Sequence, residues 1–163
     1  MKVKHTLEPI YDSESQVLIL GSIPSLKSRE LNFYYAHPYN RFWTTMEKVF
    51  SVEIGNNIED KKKFLHIHHI ALFDVIKECD IEESSDSTIK NAIPNDLNLI
   101  INNSKISTIF TTGRKAFDLY NKLCFKDTNI KAIYLPSTSP ANCRKGIEKL
   151  LVEQYGKVKN CIK

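Results

Sequence analysis

The feature that most constrains the fold is a run of four aliphatic residues, Val17 to Leu20, stopped abruptly by Gly21. A strand with one face in water alternates apolar and polar side chains, but this run is apolar throughout, so it predicts a strand buried on both faces. Strands of that kind belong to parallel sheets that helices cover on both sides. We therefore expect an α/β architecture.

Helical and strand-like periods follow one another along the rest of the chain, which predicts a parallel sheet with helical crossovers. The segment IALFDVI is too apolar for a surface loop and too short to be assigned to either type. Helices are predicted over 40–50, 58–69, 114–124 and 146–159, with another starting at Pro94 and Asn95, and strands over 104–113 and 130–135.

Two segments carry no such period. Residues 80–92 are polar and predict a mobile connection that leaves the core, and residues 1–15 read as an extended lead-in to which the sequence assigns no role. A chain of 163 residues with 42% apolar and 26% charged residues has the composition of an ordered globular protein. We expect one domain that spans residues 1–163.

The net charge of +4 permits a phosphate-rich partner without establishing one. The cysteines, at positions 79, 124, 143 and 161, form no C-x-x-C pair, so neither a zinc site nor a disulfide framework is predicted. His66, His68 and His69 lack a carboxylate or cysteine that would complete a ligand set, and we interpret them as surface histidines. No apolar run has the length of a signal peptide or a membrane span, which predicts a cytoplasmic protein without a membrane partner.

Two polar loops are the candidates for a functional site. GSIPSLKS (21–28) follows the first buried strand, and LPSTSPAN (135–142) follows the last predicted strand. The carboxyl ends of parallel strands lie at one edge of a sheet, so the two loops are expected to face each other across a cleft. Neither loop contains the phosphate-binding or dinucleotide fingerprints, and no G-x-S-x-G nucleophile elbow is present.

These loops, together with the segment between them, carry a family resemblance. LILGSIPSLKSRELNFYYAHPYNRFW and LPSTSPAN resemble the uracil-DNA glycosylase superfamily, and most closely its sixth family, the hypoxanthine-DNA (deoxyinosine) glycosylases. ALFDVI and a TTG before a helix extend the resemblance over nearly the whole chain. It implies a three-layer α/β sandwich with a central, mainly parallel four-stranded sheet flanked by helices.

The resemblance also implies an activity, the release of hypoxanthine from deoxyinosine in DNA by a monofunctional glycosylase without metal or cofactor. In the related mismatch-specific uracil/thymine glycosylases the first loop reads GINPG, and its asparagine positions the attacking water. That position is Ser22 here, so the resemblance implies that Asn40 of HPYNRFW is the catalytic amide. From spacing alone the favoured interpretation of Asn40 is a helix N-cap, and it is the resemblance of the surrounding HPYNRFW that reverses this preference.

The remaining site residues fall into two groups. For the flipped base we expect backbone N–H groups around Gly21, Ser22 and Ile23, a stacking ring from Phe33 or Tyr34, and either a donor or a structural loop residue at His37. Trp43 is assigned to the core, and Asp74 either orients water or fixes a loop. Contacts to the DNA backbone or minor groove are expected from Lys27, Arg29, Arg41, Arg144, Ser137, Ser139 and Asn142.

Three alternatives stay open at this stage. A uracil or mismatch-specific glycosylase of the same superfamily is disfavoured by Ser22. A non-catalytic module that binds DNA damage would keep the pocket without turnover, and a flavodoxin-like hydrolase of small molecules would use the same crevice without DNA. The expected partner is damaged, deoxyinosine-containing DNA, and the expected state is a monomer.

Overall fold

A computed structural model of the protein describes residues 1–82 and 86–163. The strands are β1 (Lys2–Lys4), β2 (Val17–Gly21), β3 (Ile70–Asp74), β4 (Ile76–Asp80), β5 (Lys90–Pro94), β6 (Thr108–Thr112) and β7 (Ala132–Leu135). The α-helices are α1 (Leu26–Leu31), α2 (Phe42–Phe50), α3 (Ile58–Ile67), α4 (Asn98–Ile101), α5 (Arg114–Leu123), α6 (Phe125–Thr128) and α7 (Ile147–Asn160). Asp86–Thr88 forms one 3₁₀ turn.

The central sheet has four parallel strands in the order β3-β2-β6-β7. The predicted buried strand is confirmed as β2, and all five of its residues are buried. Of the segment IALFDVI, which periodicity left open, residues 70–74 form β3 and Ile76 begins β4. β3 is also buried throughout and pairs with β2 so that Gly21 lies opposite Asp74. An α/β fold with a four-stranded parallel sheet flanked by helices is therefore confirmed.

Helices pack on this sheet and on each other. α5 packs against β6 and β7, α3 packs against β3, and α2 packs against α7. The helix predicted over residues 40–50 begins later, at Phe42, with Arg41 in the N-cap position. It ends at Phe50 because Ser51 adopts a left-handed conformation (φ 56°) and donates its N–H to the Glu47 carbonyl.

A second sheet, β1-β4-β5, is antiparallel and was not predicted. Residues 80–92 are therefore only partly a connection, since β4 ends and β5 begins inside them, and residues 83–85 lie outside the described residues. The prediction of a helix start at Pro94 was wrong. Pro94 ends β5, and Asn95 Nδ2 donates to the carbonyls of Asp74 and Ile76 instead of capping a helix.

None of the four cysteines forms a disulfide, and Cys79 and Cys124 are buried. Trp43 lies in the core, as predicted from its position in the α2 stripe. No helix in the described ranges is long and apolar enough to cross a membrane.

Candidate active site

A cleft with a volume of about 710 Å³ opens at the carboxyl ends of β2, β3 and β6. Gly21, Asp74 and Thr112, the last residues of these strands, line it. The loop after β2 forms one side, and the loop after β7 forms the other, through residues 137–142. The two loops that the sequence singled out therefore meet across one cleft, as expected for a parallel sheet.

Gly21 is required by a close approach at the bottom of this cleft. A Cβ at this position would lie 2.6 Å from Asp74 Oδ1 and 3.6 Å from the Tyr35 hydroxyl oxygen. Gly21 and Ser22 also use their carbonyls to accept the N–H groups of Val75 and Ile76, which fixes the loop against the end of β3. Gly21, Ser22 and Ile23 all line the cleft.

The loop then turns into α1 through a serine cap. Ser25 is the N-cap of α1, and its side chain accepts the N–H of Ser28. Ser28 is buried, and its hydroxyl oxygen accepts the N–H of Ala36 at 3.2 Å. This bond ties α1 to the aromatic segment that follows it and so sets the shape of the cleft wall.

The three consecutive aromatic residues have different positions. Phe33 is buried and stacks on Trp43, with 5.8 Å between ring centroids, and it does not line the cleft. Tyr34 lines the cleft, and its hydroxyl donates to the Glu8 carbonyl at 2.8 Å. Tyr35, which the sequence did not single out, lines the cleft as well and stacks on Phe42 at 4.1 Å.

Tyr35 reaches the cleft because its backbone is left-handed, with φ 53°. Its hydroxyl lies 3.4 Å from Thr112 Oγ1. Burial, and to a smaller degree the Asp74 carboxylate, raise the pKa of the Tyr35 hydroxyl well above its ordinary value. The phenol is therefore neutral at physiological pH and remains a hydrogen-bond donor.

Asn40 and His37 lie on the same wall and both line the cleft. The Asn40 carbonyl oxygen accepts the N–H of Phe42 at 2.9 Å, a turn that fixes the amide one residue before the N-cap. His37 Nδ1 accepts the N–H of Tyr39 at 3.1 Å. In the neutral imidazole the proton is therefore on Nε2, which makes that nitrogen a donor.

The loop after β7 is held by its own side chains. Ser137 and Ser139 each accept the N–H two residues further along, and Asn142 Nδ2 donates to the Ser137 carbonyl at 2.8 Å. Tyr155 of α7 donates to the Pro136 carbonyl at 2.6 Å. The side chains of Ser137, Ser139 and Asn142, which were expected to contact DNA, therefore also make hydrogen bonds that shape the loop. All three residues line the cleft.

Arg41 joins the two sides of the cleft. Its guanidinium donates to the carbonyls of Ser139 and Asn142, both at 3.3 Å, and its backbone N–H donates to the Thr138 carbonyl at 3.0 Å. The sequence suggested a phosphate contact for Arg41. The structure instead gives its guanidinium the carbonyls of the opposite loop.

The other cations expected to contact DNA lie at different distances from the cleft. Arg29 lines it, and its Nε donates to the Pro24 carbonyl at 3.4 Å. Lys27 is exposed on α1 with Glu30 at 3.9 Å, and Arg144 is exposed just beyond the loop after β7. Neither Lys27 nor Arg144 is part of the lining.

Asp74 has a partner that could not be found from the sequence alone. His5 Nε2 lies 2.7 Å from Asp74 Oδ2, and the two side chains are 3% and 6% exposed. The pair connects residues 69 positions apart. Among the described residues no group of three or more histidine, cysteine, aspartate or glutamate side chains is arranged to hold a metal ion.

Comparison with known proteins decides the family. Residues 8–155 match the model of the uracil DNA glycosylase superfamily. The chain belongs to this superfamily. A relative from Methanosarcina acetivorans named hypoxanthine DNA glycosylase is 34% identical over 148 residues, which cover 87% of this chain and 90% of the relative.

Two further proteins support the assignment to this superfamily. A relative of the same name from Methanosarcina barkeri is 30% identical over 98 residues, or 60% of this chain and 62% of the relative. The solution NMR structure of a candidate uracil DNA glycosylase from Methanosarcina acetivorans superposes with a TM-score of 0.78. It is 29% identical and is covered to 99%, with 98% of this chain covered.

Proposed function

We propose that this protein is a monofunctional DNA glycosylase that hydrolyses the N-glycosidic bond of deoxyinosine and releases hypoxanthine. The observation that carries the proposal is the cleft at the carboxyl edge of the sheet, where Asn40 faces a loop with Ser22 at the asparagine position of the mismatch-specific enzymes. The names of the two Methanosarcina relatives support the choice of base.

The reaction requires an oriented water and stabilisation of the departing base. As the bond breaks, the sugar gains oxocarbenium character while negative charge collects on the base. The amide of Asn40 is suited to the first task. One lone pair of its carbonyl oxygen accepts the Phe42 N–H, which fixes the amide, and the second lone pair is available to accept from water.

Donors for the departing base are available on the neighbouring wall. His37 Nε2 carries a proton when its Nδ1 accepts the Tyr39 N–H, and backbone N–H groups lie along the Gly21–Ile23 turn. A donor aimed at the base is worth more in a closed cleft than in water, because the local dielectric is lower. Tyr34 and Tyr35 supply aromatic surface for the flipped purine, and Phe33 does not.

The DNA backbone would be held outside the cleft. Arg29 at the rim, with Lys27 and Arg144 nearby, forms the proposed phosphate contacts, and the loop of residues 137–142 presses on the minor groove. Arg41 keeps that loop in register with Asn40. We also propose that the protein acts as a single domain over residues 1–163 and as a monomer in the cytoplasm.

A second candidate function is uracil excision. It is favoured by the likeness to the Methanosarcina acetivorans structure, which is described as that of a uracil DNA glycosylase. Ser22 disfavours it, because a hydroxyl replaces the amide that positions water in the mismatch-specific enzymes. A non-catalytic damage-binding module and a small-molecule hydrolase remain alternatives of other classes.

One assay separates these functions. Oligonucleotide duplexes that contain a single deoxyinosine, deoxyuridine, deoxyxanthosine or ethenodeoxyadenosine are incubated with the protein and then heated in alkali, which cleaves abasic sites. We expect strand cleavage in the deoxyinosine duplex to exceed cleavage in the deoxyuridine duplex. Equal or greater cleavage at deoxyuridine would overturn the substrate assignment, and binding without cleavage of any duplex would favour the damage-binding module.

A further inference from the structure

A groove beside the cleft lies between the edge strand β1 and the helix α1, and its volume is about 560 Å³. Its lining consists of Lys2, Val3, Lys4, Thr6, Arg29 and Glu30. Val3 and Arg29 also line the cleft, so the groove adjoins it. Residues 1–15, to which the sequence assigned no role, therefore form part of the surface next to the candidate site.

The outer edge of β1 presents backbone groups to this groove. Within the described ranges β1 pairs only with β4, and the N–H of His5 donates to the Lys77 carbonyl at 2.7 Å. Facing residues in an antiparallel ladder alternate between hydrogen-bonded and non-hydrogen-bonded pairs. Lys4, one residue before His5, and Lys2 are therefore at non-bonded positions. Their N–H and C=O groups point to the open edge.

The side chains of β1 add positive charge to this edge. Lys4 is exposed, and it forms no ion pair with a carboxylate of the described residues. Lys2 pairs with Glu78 at 3.0 Å, but its side chain remains 63% exposed. Both ammonium groups can therefore reach an anion at the open edge.

The opposite side of the groove is formed by α1. Among the described residues, the guanidinium of Arg29 donates only through Nε, to the Pro24 carbonyl at 3.4 Å. Its two terminal nitrogens are therefore available to a ligand. Glu30, the carboxylate that lines the groove, lies 3.9 Å from Lys27. Positive charge therefore exceeds negative charge on this side as well.

These features fit a phosphate of DNA better than a strand of a peptide. Lysine side chains on an edge strand oppose pairing with another strand. Lysine, arginine and backbone N–H groups are, in contrast, the usual donors to phosphate in DNA complexes. Each strand of a duplex has one phosphate for about every 3.4 Å of helix axis. DNA that continues from the cleft over the groove therefore brings a phosphate close to these donors.

We propose that the groove between β1 and α1 binds a backbone phosphate of the DNA that flanks the flipped nucleotide, with Lys2 and Lys4 on one side and Arg29 on the other. This inference rests on the proposed glycosylase function and extends its DNA contact onto the antiparallel sheet. The N–H groups of Lys2 and Lys4 donate to the phosphate oxygens, and the ammonium groups compensate the charge. Such a contact positions the duplex without reading its sequence.

The test is a chemical double-mutant cycle on a duplex that contains a 2′-fluorinated, non-cleavable deoxyinosine. One phosphate at a time is replaced with an uncharged methylphosphonate, and binding is measured for the wild-type protein and for Lys4→Gln. Neutralising the contacted phosphate should weaken wild-type binding roughly 3- to 10-fold. In Lys4→Gln this loss should disappear at that phosphate, while the losses at the phosphates on either side of the deoxyinosine should persist.

Further variants assign the contact to the groove. Lys4→Arg keeps the charge and should keep the wild-type response to the methylphosphonate. Lys2→Gln combined with Lys4→Gln should flatten the slope of log binding constant against log salt concentration by roughly two units.

Lys105→Gln is the matched control. The Lys105 side chain is also 63% exposed, and it pairs with Glu14 at 2.8 Å outside both the groove and the cleft. Its binding and its salt slope should equal those of the wild type. A wild-type response of Lys4→Gln at every phosphate, or an equal flattening of the slope in Lys105→Gln, would overturn the inference.

Binding and excision together separate this inference from the proposed function. Coupling between Lys4 and one phosphate, without excision of deoxyinosine, would reject the glycosylase activity and keep the groove as a DNA contact. Excision without such coupling would keep the activity and reject the groove. Binding of an extended peptide of alternating valine and glutamate that depends on Lys4, again without coupling to DNA, would assign the groove to an acidic strand and contradict the proposal.

Discussion

The same local motifs occur in the cleft and on the outer surface of this protein, but they differ in their hydrogen bonds and in their burial. Asn40 in the cleft and Asn57 on the surface both lie at the start of a helix, and each accepts a backbone N–H through its side-chain carbonyl. Asn57 is the N-cap of α3 and accepts the N–H three residues ahead, from Asp60, as a capping residue does. Asn40 precedes the N-cap of α2 and accepts from Phe42, only two residues ahead.

The histidine–aspartate pairs differ in the same way. His5 and Asp74 are almost fully buried beside the cleft, whereas His66 and Asp12 are each about 40% exposed. An exposed pair of this kind contributes little, because water and salt screen it. A local motif therefore does not indicate the role of its residues. Their burial and their position relative to the cleft indicate it.

The largest expected effect separates Asn40 from Asn57. Asn40→Ala should lower the single-turnover excision rate on deoxyinosine DNA on the order of 10²-fold or more, because an interaction made in the transition state is lost. The protein should still bind the duplex and melt almost normally. Rates are measured with enzyme in excess, and binding is measured on a non-cleavable duplex.

Asn40→Asp sharpens this prediction, because a carboxylate still accepts from the Phe42 N–H and from water while its charge alters contacts with base and phosphate. An excision rate within a few-fold of wild type in Asn40→Ala would move the catalytic role elsewhere. Ser22 and His37, which line the same cleft, would then be substituted next.

The next effect is on stability and belongs to the surface asparagine. Asn57→Ala should lower the free energy of unfolding by about 1 kcal/mol, the usual cost of a lost N-cap, with the excision rate unchanged. Urea denaturation of the two alanine variants measures this. If Asn40→Ala is destabilised as much as Asn57→Ala and keeps its rate, both residues are structural.

A smaller effect concerns the cations around the cleft. Lys27, Arg29 and Arg144 are each replaced with glutamine in separate variants. Each replacement should flatten the slope of log binding constant against log salt concentration by roughly one unit, as expected for the loss of one phosphate contact. Lys105→Gln is the control, because Lys105 pairs with Glu14 outside the cleft lining and should leave the slope unchanged. A variant with the wild-type slope would remove its residue from the DNA footprint.

Arg41→Gln tests the difference between a phosphate contact and a loop contact. Its guanidinium is bonded to the carbonyls of Ser139 and Asn142, so excision should weaken while the salt slope stays close to wild type. A slope flattened by a full unit would show that Arg41 contacts phosphate after all.

The smallest expected effect is that of a chelator. Excess chelator should leave excision unchanged, because the proposed chemistry uses an amide and backbone donors and requires no metal. A chelator-sensitive activity restored by a divalent ion, or a brown protein solution indicating an iron–sulfur cluster, would contradict this.

The sequence predicted the parallel sheet and most helices because those elements carry strong periods. The fully apolar run before Gly21 led to β2, and the stripes at 114–124 and 146–159 led to α5 and α7. The antiparallel sheet was missed because all its strands are short, and β1 and β5 have no buried residue apart from Val3. Pairing of β1 with β4 connects distant parts of the chain, which periodicity does not report.

Like the fold, the candidate site could be predicted only in part from the sequence. The two loops and Asn40 could be found from motifs, and the structure brings them to one cleft. The orientation of the Phe33 and Tyr35 rings could not be found from motifs. It depends on the left-handed backbone at Tyr35, which places that ring in the cleft while Phe33 packs on Trp43. The contact between His5 and Asp74 has no local signal, since it requires β1 to dock on β4.

Base specificity is tested most directly by one duplex that contains a deoxyinosine and a deoxyuridine at separate positions in the same flanking sequence. The protein is added in a limiting amount, and the free bases released are separated and quantified by chromatography. Internal competition makes the ratio of the two bases independent of enzyme concentration and of the active fraction. We expect hypoxanthine to appear first, with the deoxyuridine left intact; uracil released as fast as hypoxanthine, or faster, would contradict the proposed function.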